Sequence, residues 1–258
     1  MYARLLLLFA FSLYLVEPAR AAPDKTQLVQ YLKTVDLNQR NIGDFRSDTY
    51  MEQKEKGKLS VVYEAQIYRR SADARFMIVF TNPKASQGQG YLRVDDNLWF
   101  YDPATGKWER RTERERIGGT DSRRSDLDES RLADEYDPEW VGEEKLGAYD
   151  ALVLKLTGKP GLTLSFPVVK IWIDKTTMNV LKRQEYAASG KLLRTCYYPK
   201  WKKVFSHSKN APVWFPEEAR FYDEVEKDNS TLMIMRSVDI RPIESNMFTK
   251  AWLESKSR

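Results

Sequence analysis

The side chains best suited to chemistry are scarce in this chain. It holds one histidine, His207, and one cysteine, Cys196. His207 stands in Phe205-Ser206-His207-Ser208-Lys209-Asn210-Ala211-Pro212, a stretch rich in turn formers that reads as a surface loop. A Ser-His-Asp arrangement would have to use that histidine, and no Gly-x-Ser-x-Gly accompanies it. A zinc site of the usual nitrogen and sulfur kind needs more ligands than the pair supplies. Cys196 lies in Leu192-Leu193-Arg194-Thr195-Cys196-Tyr197-Tyr198, which reads as a strand, so a buried structural thiol is expected. With one cysteine there is no internal disulfide, and stability must come from the core. Gly118-Gly119 does not sit inside a phosphate-cradling motif.

Carboxylates are the remaining route to catalysis. Glu143 with Glu144, or Asp126, Asp128 and Glu129, could supply an acid and a base. Among 37 acidic residues such neighbours arise by chance, and solvated faces are the plainer reading. The expectation is therefore a non-enzymatic protein with no cofactor, no metal and no catalytic residue. Arg110, Arg111, Arg114, Arg116, Arg123 and Arg124 form a basic run that could meet lipid head groups. Glu109, Glu113 and Glu115 are interleaved with it, so pairing along the chain explains it equally well. The 42 cations and 37 anions leave a net charge of +5, which suits a mixed surface better than a nucleic-acid groove.

The elements that must carry these residues are mostly strands. In residues 24–40, Leu28, Leu32 and Val35 recur every three or four positions and mark an amphipathic helix. From about Phe45 the period becomes two. Leu59, Val61, Tyr63, Ala65 and Ile67 alternate with their neighbours as one face of a strand. Further strands are read over 75–81, 91–94, 98–101 and 107–112, with turns at Asp95-Asp96-Asn97 and Asp102-Pro103-Ala104-Thr105-Gly106. The charged stretch 113–137 breaks the pattern, and Ser125 or Asp126 could cap a short helix carrying Leu127 and Leu132. Strands resume after Pro138, over 141–146, 151–157, 168–174, 180–186, 191–198, 215–224 and 230–240. A short helix over 246–256, with Phe248 and Trp252 on one face, closes the chain.

A sheet this long must curl, because strand twist accumulates. If it stays incomplete, something besides its own side chains must fill the hollow. The apolar rows Phe76, Ile78, Phe80, then Leu98 and Phe100, then Leu152, Leu154, Leu156, then Val169, Ile171, Ile173 are candidates to line that space. Met233 and Met235 add flexible side chains that adapt to irregular partners. Each of these rows is equally compatible with an ordinary filled core.

The N-terminus carries Arg4, an apolar run over 5–16 interrupted only by Ser12, then Glu17-Pro18 and Ala19-Arg20-Ala21. This is the pattern of a secretory signal cleaved after Ala21, and the run is too short to span a bilayer. The expected organisation is a signal peptide over 1–21 and one domain over 22–258, soluble and exported to the periplasm; the sequence does not assign an oligomeric state, and a monomer is favoured.

The stretch 168–201, V-V-K-I-W-I-D-K-T-T-M-N-V-L-K-R-Q-E-Y-A-A-S-G-K-L-L-R-T-C-Y-Y-P-K-W, resembles the outer-membrane lipoprotein-sorting protein family, the LolA-like group of secreted bacterial proteins. Glu143-Lys145-Leu146 and Tyr149-Asp150-Ala151-Leu152-Val153-Leu154-Lys155-Leu156-Thr157 look like the family's paired strands. Ile117-Gly118-Gly119-Thr120-Asp121 and Ser125-Asp126-Leu127 resemble its central segment. The resemblance implies a mainly β, α+β fold: a large curved antiparallel sheet forming an incomplete barrel, with N-terminal, central and C-terminal helices over the open side. It also implies a periplasmic carrier or binding protein for a lipid or lipoprotein acyl chain, with an inner-membrane exporter or outer-membrane acceptor as protein partner. The alternative is an envelope sensor, or an accessory module of a membrane exporter, that transports no lipid.

Overall fold

A computed structural model describes residues 22–95, 97–112, 115–128, 130–207 and 209–257. The signal-peptide reading and the expectations for Asp96, Glu113, Arg114, Glu129 and Ser208 lie outside them.

Helix α1 (Lys25–Arg40) starts at Asp24, whose carboxylate accepts the Gln27 N–H at 2.8 Å. That interaction satisfies one of the first-turn donors that a helix leaves free. Strands β1 (Phe45–Lys54), β2 (Val61–Arg70), β3 (Arg75–Asn82), β4 (Gly90–Val94), β5 (Asn97–Asp102) and β6 (Lys107–Arg111) follow as successive hairpins. A crossover segment over 112–131 then leads to α2 (Leu132–Glu135). Strands β7 (Tyr136–Leu146), β8 (Tyr149–Gly158), β9 (Val168–Asp174), β10 (Val180–Tyr186), β11 (Leu192–Ser206), β12 (Ala211–Asp223) and β13 (Ser230–Asp239) complete the sheet, before α3 (Lys250–Lys256).

The 13 strands form one sheet in the order β6-β5-β4-β3-β2-β1-β13-β12-β11-β10-β9-β8-β7. The chain therefore begins in the middle of the sheet and runs outward to the β6 edge. It crosses to the β7 edge and returns until β13 pairs antiparallel with β1. The two edge strands do not meet, so the barrel is incomplete.

Alternation divides each strand between two faces. On the inner face Phe76, Ile78 and Phe80 join Met51, Ile67, Leu98, Phe221 and Met233 in one apolar cluster. Leu152, Leu154, Leu156, Val169, Ile171 and Ile173 join Leu28, Leu32 and Val35 of α1 in a second. The intervening residues Met77, Val79 and Leu92 face outward and meet Phe248 and Leu253 from the C-terminal segment. This corrects one expectation: α3 covers the outer face of the first half, while α1 and the crossover segment occupy the inner side. Phe248 and Leu253 supply apolar surface that the outward residues of β3 and β4 would otherwise expose to water.

Several boundaries also differ from the sequence reading. β7 begins at Tyr136 and runs through Pro138, which an edge strand accommodates because its outer side needs no ladder donor. β11 continues past Pro199 to Ser206. The single helix expected near Ser125 is replaced by a 3-10 turn over Arg124–Asp126 and the one-turn α2.

Candidate functional site: a cavity under the crossover segment

Described residues of the crossover segment are pinned to the inner face by polar contacts. Gly118, at φ 62°, presses on Phe80; a Cβ there would lie 2.9 Å from the ring, so a larger residue would strain the turn and displace the ring. Its N–H donates to the Tyr91 hydroxyl at 3.0 Å. Asp121 is buried, accepts from Gln53 Nε2 at 3.1 Å and stands 3.3 Å from the Arg116 guanidinium. Burial pushes its carboxyl pKa up, and those partners limit the rise. Asp36 of α1 accepts the Leu132 and Ala133 N–H groups, both at 2.9 Å, so α1 holds the start of α2.

The strongest anchor is Arg194, only 2% exposed, on β11. Its guanidinium bonds Asp126 of the crossover segment and Glu185 of β10, the latter at 3.2 Å, and lies 4.7 Å from the Phe221 ring centre. Arg183 reaches the same Glu185 at 2.5 Å. Burial works against a charged Arg183, but the acidic groups around it, Glu185 foremost and Asp126 among them, together outweigh it and hold the pKa raised. Asp126, Glu185 and Cys196 also converge within 4.8 Å, a donor set that could ligate a metal. The Arg194 guanidinium already bridges the two carboxylates, and desolvation pushes the Cys196 thiol well up, away from the thiolate a metal would need. The cluster works as an ion-pair lock between segment and sheet.

Beside this lock lies a cavity of about 650 Å³. Ile42, Leu132, Phe166, Ile171, Phe215 and Met235 give it apolar surface. Arg93, Arg124, Asp126, Asp128 and Arg183 give it a charged side, in which Arg93 and Asp128 pair at 2.8 Å. Its size falls in the range of about 300–1,000 Å³ usual for small-molecule sites.

Of the residues singled out as cavity candidates, Ile171 and Met235 line this space, and Val169 is buried in the second inner cluster. Phe76, Ile78, Phe80, Leu98 and Met233 are buried in the first inner cluster, with Phe100 packed against it. Leu152, Leu154, Leu156 and Ile173 are buried beneath α1 in the second. Sequence reasoning missed the lock altogether, because Asp126 and Arg194 are 68 positions apart.

Of the acidic candidates, Asp126 and Asp128 line the cavity in ion pairs with Arg194 and Arg93, whereas Glu143 and Glu144 are engaged elsewhere. Glu143 meets Lys175 at 2.8 Å, and Glu144 accepts the Trp172 Nε1–H at 2.6 Å. The basic run is largely paired too: Arg111 meets Glu109 at 2.7 Å, and Arg116 meets Asp223 at 2.6 Å. His207 lies in the exposed turn between β11 and β12, and Cys196 is buried. Among the described residues no helix is long and apolar enough to cross a membrane.

An open antiparallel sheet with a helix and a crossover segment in its hollow defines the LolA-like class of fold. Comparison with solved structures agrees. A LolA superfamily protein from Nitrosomonas europaea aligns with a TM-score of 0.71 at 18% identity, covering 87% of this chain and 98% of its own. A domain assigned to outer-membrane lipoprotein sorting, from Vibrio parahaemolyticus, aligns at 0.77 and 18% identity, over 90% and 100%. A DUF1329 family protein from Desulfovibrio piger aligns at 0.76 and 20% identity, over 88% and 99%. No curated protein matches the chain. A family model described only as an uncharacterized protein matches residues 72–255, more than half the chain, and the protein belongs to that family.

Proposed function

We propose that this protein is a non-enzymatic, periplasmic carrier or binding protein for a lipid or lipoprotein acyl chain. Residues 22–258 act as one half-barrel domain after removal of a signal peptide. The observation that carries this reading is the cavity of about 650 Å³ between the inner face and the crossover segment. An acyl chain gains about 0.8 kcal/mol per buried methylene, so ten methylenes against Ile171, Phe215 and Met235 give about 8 kcal/mol before association costs. The arginines and carboxylates on the other side suit the polar end of the same molecule. The remaining apolar rows, from Phe76 to Met233 and from Leu152 to Ile173, are the surfaces a longer chain would reach if α1 and the crossover segment moved.

A fluorescent fatty acid is the probe. The purified protein is expected to bind it saturably, and Met235→Trp, which pushes an indole into the cavity, should weaken binding at least tenfold while the circular dichroism stays native. No saturable binding, or unchanged binding by a folded Met235→Trp variant, would refute the proposal.

A further inference from the structure

β11 and β12 outrun their neighbours. β10 pairs with β11 only between Leu192 and Tyr197, and β13 pairs with β12 only between Glu218 and Tyr222. Beyond those points the two strands pair with each other alone, from Trp201 opposite Pro216 to Ser206 opposite Ala211. The result is a two-stranded arm whose base is held by Phe215 against Phe45, rings at 5.2 Å.

The arm's composition is unlike the rest of the chain. Between Pro199 and Pro216 stand Lys200, Lys202, Lys203, His207 and Lys209, with no Asp or Glu. Elsewhere cations and anions are interleaved. Lys200 and Lys202 are paired at the base, with Glu218 and Glu217. Toward the tip Lys203 is exposed and lies over the Trp214 ring at 5.1 Å, and Lys209 donates to Asn41 Oδ1 at 2.7 Å. Among the described residues neither of these two has a carboxylate in ion-pair reach. Phe205, beside them, is 50% exposed.

Two kinds of partner would use such an arm. An added β-strand would use its open edges, but Pro199, Pro212 and Pro216 remove ladder donors from both strands. A lipid surface would use lysines and aromatic rings together, the cations meeting anionic head groups and the rings entering the interface. We propose that the tip of the β11–β12 arm docks the protein on an anionic membrane surface through Lys203, Lys209, Phe205 and Trp214. Trp201 and Pro216, at the base of the arm, also line the cavity, so docking would bring the cavity wall to the bilayer. The distance along the strand from Trp201 to Phe205 is about 13 Å.

The test is co-sedimentation of the full chain with phosphatidylglycerol–phosphatidylcholine vesicles, against phosphatidylcholine alone. The expected result is binding to the anionic vesicles only, lost at high salt. Each lysine near such a surface contributes about a fivefold factor, so Lys203→Gln with Lys209→Gln should weaken binding about 25-fold. Phe205→Ser, at an exposed site, should weaken it severalfold with unchanged circular dichroism. Failure of the wild type to bind anionic vesicles, or equal binding by the folded variants, overturns the proposal and leaves a protein partner as the arm's occupant. The fatty-acid titration is read without vesicles, so either proposal can fail while the other stands.

Discussion

Replacing Arg194 with Met removes the buried cation that ties Asp126 of the crossover segment to Glu185 of β10. Glu185 keeps Arg183 at 2.5 Å, but Asp126, whose side chain is 4% exposed, loses its ion pair with Arg194. What remains to it is the Arg123 N–H at 2.8 Å and the Ser122 hydroxyl at 3.5 Å. Breaking a buried pair from one side costs about 3–5 kcal/mol, because the surviving charge stays desolvated. At about 2–4 °C per kcal/mol for a chain of this size, the Tm should fall by about 6–20 °C. Asp126→Asn in the same chain removes the orphaned charge, so the double variant should recover at least about 1 kcal/mol relative to additivity. Urea denaturation of the four proteins of the cycle supplies the numbers, and hydrogen exchange should show residues 115–128 losing protection first. A loss below about 1 kcal/mol for Arg194→Met, or strict additivity in the cycle, would refute the lock.

Three further outcomes follow from the packing and the charges. Leu32→Ala, at a fully buried position where α1 meets the second inner cluster, should cost about 2–5 kcal/mol in urea denaturation; a loss under about 1 kcal/mol would mean that α1 is only loosely seated. Cys196 should resist a disulfide reagent at pH 8 in the native protein and react fully in urea, because burial raises its pKa far above that pH; rapid native labelling would contradict this. Burial opposes the ionised form of Glu218, yet hydrogen bonds from Lys200 and Arg220 prevail and hold its pKa below the usual 4.5. The stability it contributes is thus present above about pH 4.5 and is lost as pH falls through the lowered value, so Glu218→Gln should flatten the acid limb of the urea midpoint. An unchanged acid limb would show that the carboxylate is not held low.

The period-two pattern was enough to place β9 at Val168–Asp174 and β10 at Val180–Tyr186 without error, because both are short, regular and bounded by turns. The helical stripe of Leu28, Leu32 and Val35 likewise located α1. Pro138 and Pro199 misled the reading, since proline ends most strands but not an edge strand or an arm whose outer side is unpaired. The cavity was harder to see. Alternation assigns Phe76 and Leu154 to a face, but it does not say how much of that face α1 and Ile117 or Leu127 already cover. Where the hollow stays open is decided by long-range polar contacts such as Asp126 to Arg194 and Asp36 to Leu132, and these leave no periodic trace.

Native mass spectrometry of the protein isolated from its own cell envelope, without detergent, bears most directly on the cavity. Bound species with the masses of lipids or acylated peptides are expected, and they should diminish in Met235→Trp. A single apo mass for the wild type, unchanged after incubation with fatty acid, would contradict the acyl-chain account.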